Sequence, residues 1–153
     1  MNSKFINKKS EIDSIINECD VCYMSMVTDE GLPYVIPFNF AYENDVLFFH
    51  SAPIGLKIDY LKKKPEVCIV FSTGHQLHHH NAEVGCSYSM KFRSVVVYGK
   101  VKFVEDIETK TVMMNKIMQK YTGRDFTYSL PAIKNVAVFY VEIEKITGKK
   151  RGY

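Results

Sequence analysis

Two runs near the start of the chain read as strands. Val21–Val27 is rich in β-formers. The turn residues Asp29-Glu-Gly-Leu32 then lead into Pro33–Tyr42, where Tyr34, Ile36, Phe38, Phe40 and Tyr42 share one parity. Period two is the spacing of a strand with one buried face, and two such runs around a glycine turn predict a hairpin. Glu43-Asn-Asp45 turns into a third run, Val46–His50, and Glu66–Ser72, Ser87–Val104 and Val136–Ile146 supply three more. The Ser87–Val104 run is long enough for its two halves to bend around a barrel.

Elsewhere the apolar period is helical. Ser10-Glu-Ile-Asp13 resembles a capping box ahead of Ile12, Ile15 and Ile16, which predicts a helix over 10–18. Ser51 and Pro53 precede the stripe Ile54, Ile58, Leu61, which ends before Pro65; Val112, Met113, Ile117 and Tyr121 mark a third helix over 106–121. The polar, histidine-rich stretch Thr73–Gly85 predicts a loop. Six strands in mostly antiparallel succession, with three helices beside them, predict an α+β, mainly β fold: a small barrel, closed or partly closed. The chain lacks regular βαβ alternation and a glycine-rich strand-to-helix turn, which argues against a Rossmann dinucleotide fold.

Composition narrows the functional classes. At 153 residues, with 46 % hydrophobic and 24 % charged, the chain suits one folded domain, 1–153. A net charge of +3 from scattered lysines gives no basic, aromatic-lined surface, so no nucleic-acid partner is expected. No apolar run reaches membrane-spanning or signal-peptide length, and a cytoplasmic, soluble protein with no membrane partner is expected. Its cysteines (Cys19, Cys22, Cys68, Cys86) should then be reduced. Cys19-Asp-Val-Cys22 stands where a helix hands over to a strand, the reverse of a thioredoxin-type motif, and reads as two small buried residues.

Three features break the local rules. Lys57 falls on the same helical face as Ile54, Ile58 and Leu61. An ammonium group there either snorkels to water or meets an anion. Ser51, His50 and the free N–H groups of a helix start would complete a phosphate site. Pro37 and Asn39 interrupt the second strand: Pro37 implies an edge or a bulge, or backbone left open to hydrogen-bond the rim of a heterocycle. Arg93 and Ser94 interrupt a β-branched strand, with Arg93 either facing water or supplying a second cation. His75, His78, His79 and His80, near Cys86, read as a polar loop rather than a dedicated metal site.

These segments together resemble the FMN-binding split-barrel superfamily, the pyridoxamine 5′-phosphate oxidase-like proteins, and most of all its branch related to 5-nitroimidazole resistance proteins. The resemblance rests on Pro33–Tyr42, on Phe48-Phe-His-Ser-Ala with Gly55-Leu-Lys57 and Leu61, on Phe92-Arg-Ser-Val-Val-Val-Tyr-Gly99, and on Val141-Glu-Ile-Glu-Lys-Ile-Thr-Gly-Lys149. It implies a six-stranded antiparallel split β-barrel with peripheral helices, and a homodimer binding flavin at its interface. The flavin would be FMN, with FAD the other form allowed. Residues like Pro37, Phe38, Asn39 and Phe40 would run beside the ring, and those like His50, Ser51 and Lys57 would hold the phosphate. Those like Arg93 and Ser94 would reach in from the partner. Tyr34 and Asn39 stand where oxidase members carry arginine and lysine, which points away from pyridoxamine phosphate as substrate. The expected activity is an FMN-dependent oxidoreductase taking electrons from a nicotinamide donor and passing them to a small acceptor such as a nitroaromatic. The alternatives are a flavin or haem carrier without turnover and, outside flavin chemistry, a metal-binding domain using His75, His78, His80 and Cys86. No catalytic residue is assigned; Tyr88 and the 75–80 histidines are the first places to look for a proton donor.

Overall fold

A computed structural model describes residues 2–153. In the described residues eight strands and four α-helices follow in the order β1 (Ser3–Ile6), α1 (Lys9–Glu18), β2 (Cys22–Val27), β3 (Pro33–Phe38), β4 (Ala41–Glu43), β5 (Val46–Ser51), α2 (Leu56–Lys63), β6 (Glu66–His78), β7 (Ser89–Val104), α3 (Ile107–Thr122), α4 (Leu130–Lys134) and β8 (Ala137–Arg151), with a short 3-10 turn at Gly85–Ser87 between β6 and β7. All pairings are antiparallel, and the ladder runs β3-β2-β6-β7-β8-β5-β4, with β1 added beside the far end of β8.

The ladder is open, since β3 and β4 do not pair, yet these two end strands are joined by only Asn39 and Phe40. Three residue steps cover at most about 11 Å, whereas the ends of a flat seven-stranded sheet stand about 29 Å apart. The sheet must therefore roll until its edges nearly meet. Inward parities such as Met24, Met26, Ile69, Phe71, Val95 and Val97 fill the roll, and α1 adds Ile12, Ile15 and Ile16 to the same core. α2 adds Ile58 and Leu61 to that core, and its C-terminal lysines reach the β2–β3 turn at Asp29 and Thr28. α3 packs Ile117 against Ala41 and Phe48 in a separate outer cluster. On the outward parity, Tyr23, Val35 and Tyr98 stay 52, 56 and 47 % exposed.

Several expectations are corrected. The described residues form eight strands rather than six: β1 is too short for a period to show, and is held by pairing with β8 from Ser3↔Arg151 to Ile6↔Gly148. β6 continues through the polar stretch to His78, because pairing with β7 resumes at Gln76↔Lys91 after a bulge. The run 33–42 is two strands, broken at Asn39-Phe40, and α4 lies in a segment with no predicted element. The Ser10 capping box does not form, since α1 already begins at Lys9. α2 begins at Leu56, behind Gly55 at φ +125°, so Ile54 lies outside the helix and is 81 % exposed. On α3 the buried positions are Lys110, Met114 and Ile117, with Val112 exposed.

Candidate functional site

The end of β5 and the start of α2 bring His50, Ser51 and Lys57 to one place. β5 is pinned to β8 through Phe49↔Phe139, His50↔Val138 and Ser51↔Ala137, so its last residues are held rigidly. Gly55 then makes a turn that an L side chain rarely adopts and sends the chain into α2. The Lys57 ammonium lies 5.5 Å from the centroid of Phe38 and makes no ion pair among the described residues. Phe38 is itself buried, edge-on to Phe49 at 5.7 Å and to Phe139 at 5.9 Å, and so forms a firm floor. The buried Nδ1 of His50 has no hydrogen-bond partner. Burial, and then the positive charge of Lys57, hold the His50 pKa below its usual 6.5. Ser51 is buried, with its hydroxyl donating only to the Ala52 carbonyl at 3.1 Å. At the start of α2 the first N–H groups lack helical acceptors. An unneutralised ammonium, an orphaned imidazole nitrogen, a hydroxyl and free N–H groups form a donor set suited to a phosphate dianion.

Beside this cluster runs β3, an edge strand paired only with β2. Its other edge offers unpaired backbone groups, and Pro37, exposed on the outward parity, removes one donor from it. Asn39 is exposed in the link to β4, its amide 3.5 Å from the Asp20 carbonyl. Phe40 is wholly buried, and its N–H is not open to a ligand because it donates to the Tyr121 hydroxyl at 3.0 Å. That hydroxyl in turn donates to the Asp20 carbonyl at 2.7 Å. Lys120 Nζ sits 3.6 Å from the Phe40 ring centroid and donates to the Cys19 carbonyl at 2.7 Å; burial lowers its pKa. Sequence reading missed Lys120 and Tyr121 as braces of this link. The signal was there: Lys120 and Tyr121 follow Ile117 by three and four residues, hence on its face of α3.

Arg93 and Ser94 are not part of the cluster within one chain. Arg93 pairs with Lys150 on β8 and His50 with Val138, twelve residues apart along that strand, a contour of about 40 Å. Arg93 is engaged locally: its guanidinium donates twice to Glu18, at 3.1 and 2.7 Å, and lies 5.1 Å from the Tyr153 ring centroid. Its Nε remains buried and unpaired. Ser94 donates weakly to the Lys149 carbonyl at 3.4 Å. The histidines are spread out. His75 meets Ser72 at 2.8 Å, His79 stacks on Tyr88 at 4.8 Å, and His78 and His80 lie edge to face. No three potential metal ligands gather among the described residues. Cys19 and Cys22 are free and buried, and burial pushes the Cys22 thiol up to about 12, which leaves it unreactive. Among the described residues no helix is long and apolar enough to cross a membrane.

Comparison with known proteins adds the lineage. The family model for pyridoxamine 5′-phosphate oxidase matches residues 8–150. A candidate 5-nitroimidazole antibiotic resistance protein from Bacteroides thetaiotaomicron is 44 % identical, with a TM-score of 0.88 over 97 % of this chain and 87 % of its own. The FAD and haem binding protein of Mycobacterium smegmatis has a TM-score of 0.87 at 13 % identity, over 98 % of this chain and 74 % of its own. A FAD-binding protein of Mesorhizobium loti reaches 0.71 at 22 % identity, over 99 and 100 %. The last two speak for the fold alone. No curated protein sequence matches the chain. The matched span and the 44 % identical structure together establish that this chain belongs to the pyridoxamine 5′-phosphate oxidase-like family of FMN-binding split barrels.

Proposed function

We propose that this protein is an FMN-dependent oxidoreductase that works as a homodimer, takes electrons from a nicotinamide donor and delivers them to small acceptors, nitroaromatics among them. One observation carries the reading: an unpaired Lys57 ammonium on the Phe38 ring, beside an orphaned His50 nitrogen and a buried Ser51 hydroxyl. Burying such groups without partners costs free energy, which a phosphate dianion recovers. The open edge of β3, with Pro37 and Phe38, then supplies backbone groups to the rim of a flat heterocycle. A terminal phosphate fits this donor set better than an adenylated one, hence FMN rather than FAD. The name of the 44 % identical relative supports the nitroaromatic acceptor.

When bound, the flavin supplies the redox chemistry, accepting a hydride equivalent and passing electrons onward. The chain's own residues bind and orient it. Lys57 offsets phosphate charge, Ser51 and the first N–H groups of α2 donate hydrogen bonds, and neutral His50 offers a nitrogen that no protein group uses. A second copy accounts for the half-exposed apolar side chains Tyr23, Val35 and Tyr98 on the outer face of the sheet. It also brings Arg93 and Ser94 to a site their own chain holds far from them.

Reconstitution tests this. Protein loaded with FMN is expected to oxidise NADH or NADPH at a rate that rises with added nitroaromatic. Flavin retention without turnover across a broad set of acceptors would leave a carrier. Failure to take up any flavin would overturn the reading altogether.

A further inference from the structure

From Gln76 to Lys91 the β6–β7 hairpin leaves the rest of the sheet behind: β8 runs out at Arg151, opposite Phe92, and β2 pairs with β6 only at Cys68–Val70. A two-stranded ribbon is marginally stable alone in water. This one is nevertheless built. Gln76↔Lys91, Leu77↔Met90 and His78↔Ser89 pair across it. At the tip, His79 stacks on Tyr88 with ring planes 11° apart, the Tyr88 hydroxyl donates to the Ala82 carbonyl, and the Ser87 hydroxyl donates to that of Asn81. The ordered arm holds Leu77 at 62 % exposure, Val84 at 46 % and Met90 at 44 %. By strand alternation Met90 shares the outward side of β7 with Val96 and Tyr98, so the arm continues the apolar outer face.

At the other end of the molecule a second apolar pair lacks cover. Ile54 and Leu56, 81 and 62 % exposed, flank the turn that presents Lys57. The arm and this turn lie toward opposite ends of β8. A two-fold axis lying in the plane of contact and crossing the strands carries one end onto the other.

We infer that the arm, residues 76–91, is a lid in trans: in a dimer it closes over the start of α2 of the second copy. There it brings the His79–Tyr88 stack and the neighbouring imidazoles to the site built on Lys57. This deepens the flavin reading and rests on it for the site's occupant. A planar aromatic lid selects a flat aromatic acceptor, and it makes the arm the element that sets substrate preference.

Two experiments separate this inference from the flavin reading. In the unmodified protein, equal parts of ¹⁴N- and ¹⁵N-labelled chains, exchanged as dimers, are treated with an amine cross-linker. Mixed-isotope links from Lys91 to Lys57 or Lys62 are expected. Links from Lys91 to α2 found only between like isotopes, or not at all, would overturn the lid, whatever the protein binds. The second experiment pairs Lys57→Ala with Leu77→Asp/Met90→Asp in a doubly tagged heterodimer. Each homodimer is expected to bind FMN about tenfold or more weakly than wild type. The heterodimer is expected to regain one tight site, since one Lys57 then meets one intact arm. A heterodimer with no tight site, or an arm variant that binds like wild type, would rule the lid out.

Discussion

At the scale of single residues, Lys57 has a charge without a counter-charge and His50 a nitrogen without a partner, and each makes a different prediction. Lys57→Ala or Ser51→Ala removes a donor to the phosphate. A charge-assisted bond contributes about 1.5–3 kcal/mol, so fluorescence titration should record roughly ten- to hundred-fold weaker FMN binding. Unchanged affinity in both would move the phosphate elsewhere. His50 predicts a pH effect in the flavin-free protein. Its folded pKa lies below 6.5, because burial and Lys57 disfavour the charged ring. The unfolded chain therefore binds the extra proton first, and the His50 contribution lowers stability as the pH drops below about 6.5 and adds nothing above it. The melting temperature should decline between pH 7.5 and 5.5 more steeply in wild type than in His50→Gln. Equal slopes would sink that account. Lys57 was legible in the sequence as a charge beside Ile58 and Leu61, although Ile54, counted in the same stripe, lies outside the helix. Arg93 was legible as a charge in an apolar strand. Its bidentate partner Glu18, 75 residues away, was not, because no local pattern encodes a long-range pair.

Among the elements, β7 has a glycine where its register with β8 slips. The register between β7 and β8 slips between Tyr98 and Gly99, and a Cβ at Gly99 would stand 2.5 Å from the Glu142 carbonyl and 2.6 Å from a Val141 methyl. Backbone cannot step aside as a flexible side chain can. Gly99→Ala should destabilise by about 1–3 kcal/mol, seen as a lower denaturation midpoint at unchanged slope. A midpoint equal to wild type would mean that the two strands part there at no cost. The elements with strong periods, α1, β2, β5 and β7, were visible in the sequence to within a few residues. The arm was not: its β6 strand is polar and histidine-rich, and only cross-strand pairing makes it a strand. The start of α2 was misjudged for a related reason. Ser51 and Pro53 resemble helix starters, but pairing with β8 keeps Ser51 in a strand, and the turn waits for Gly55.

For the whole molecule, a mainly β, antiparallel fold was readable from the order of the strong strands, but the number of strands and their pairing order were not, and a second copy was expected only through the family resemblance. Tyr23 and Val35 look like ordinary strand residues, and their exposure on the rolled sheet makes them the surface on which the proposed second copy is tested. Val35→Lys/Tyr23→Lys should halve the solution mass measured by light scattering while leaving the far-ultraviolet circular dichroism unchanged. A wild-type chain that is already monomeric with flavin bound would remove the need for a partner.

The roll closes on a two-residue link rather than a ladder, so it keeps two raw strand edges where a sealed barrel has none. Prolines at 33 and 37 deny β3 two of the donors a foreign strand would grip. Exchanging Pro37 for valine should therefore leave the native fold recognisable while concentrated stocks turn cloudy and expressed material shifts to inclusion bodies. Clear stocks of that variant would show that hydrogen-free ring nitrogens are not what holds off fibre-like self-association.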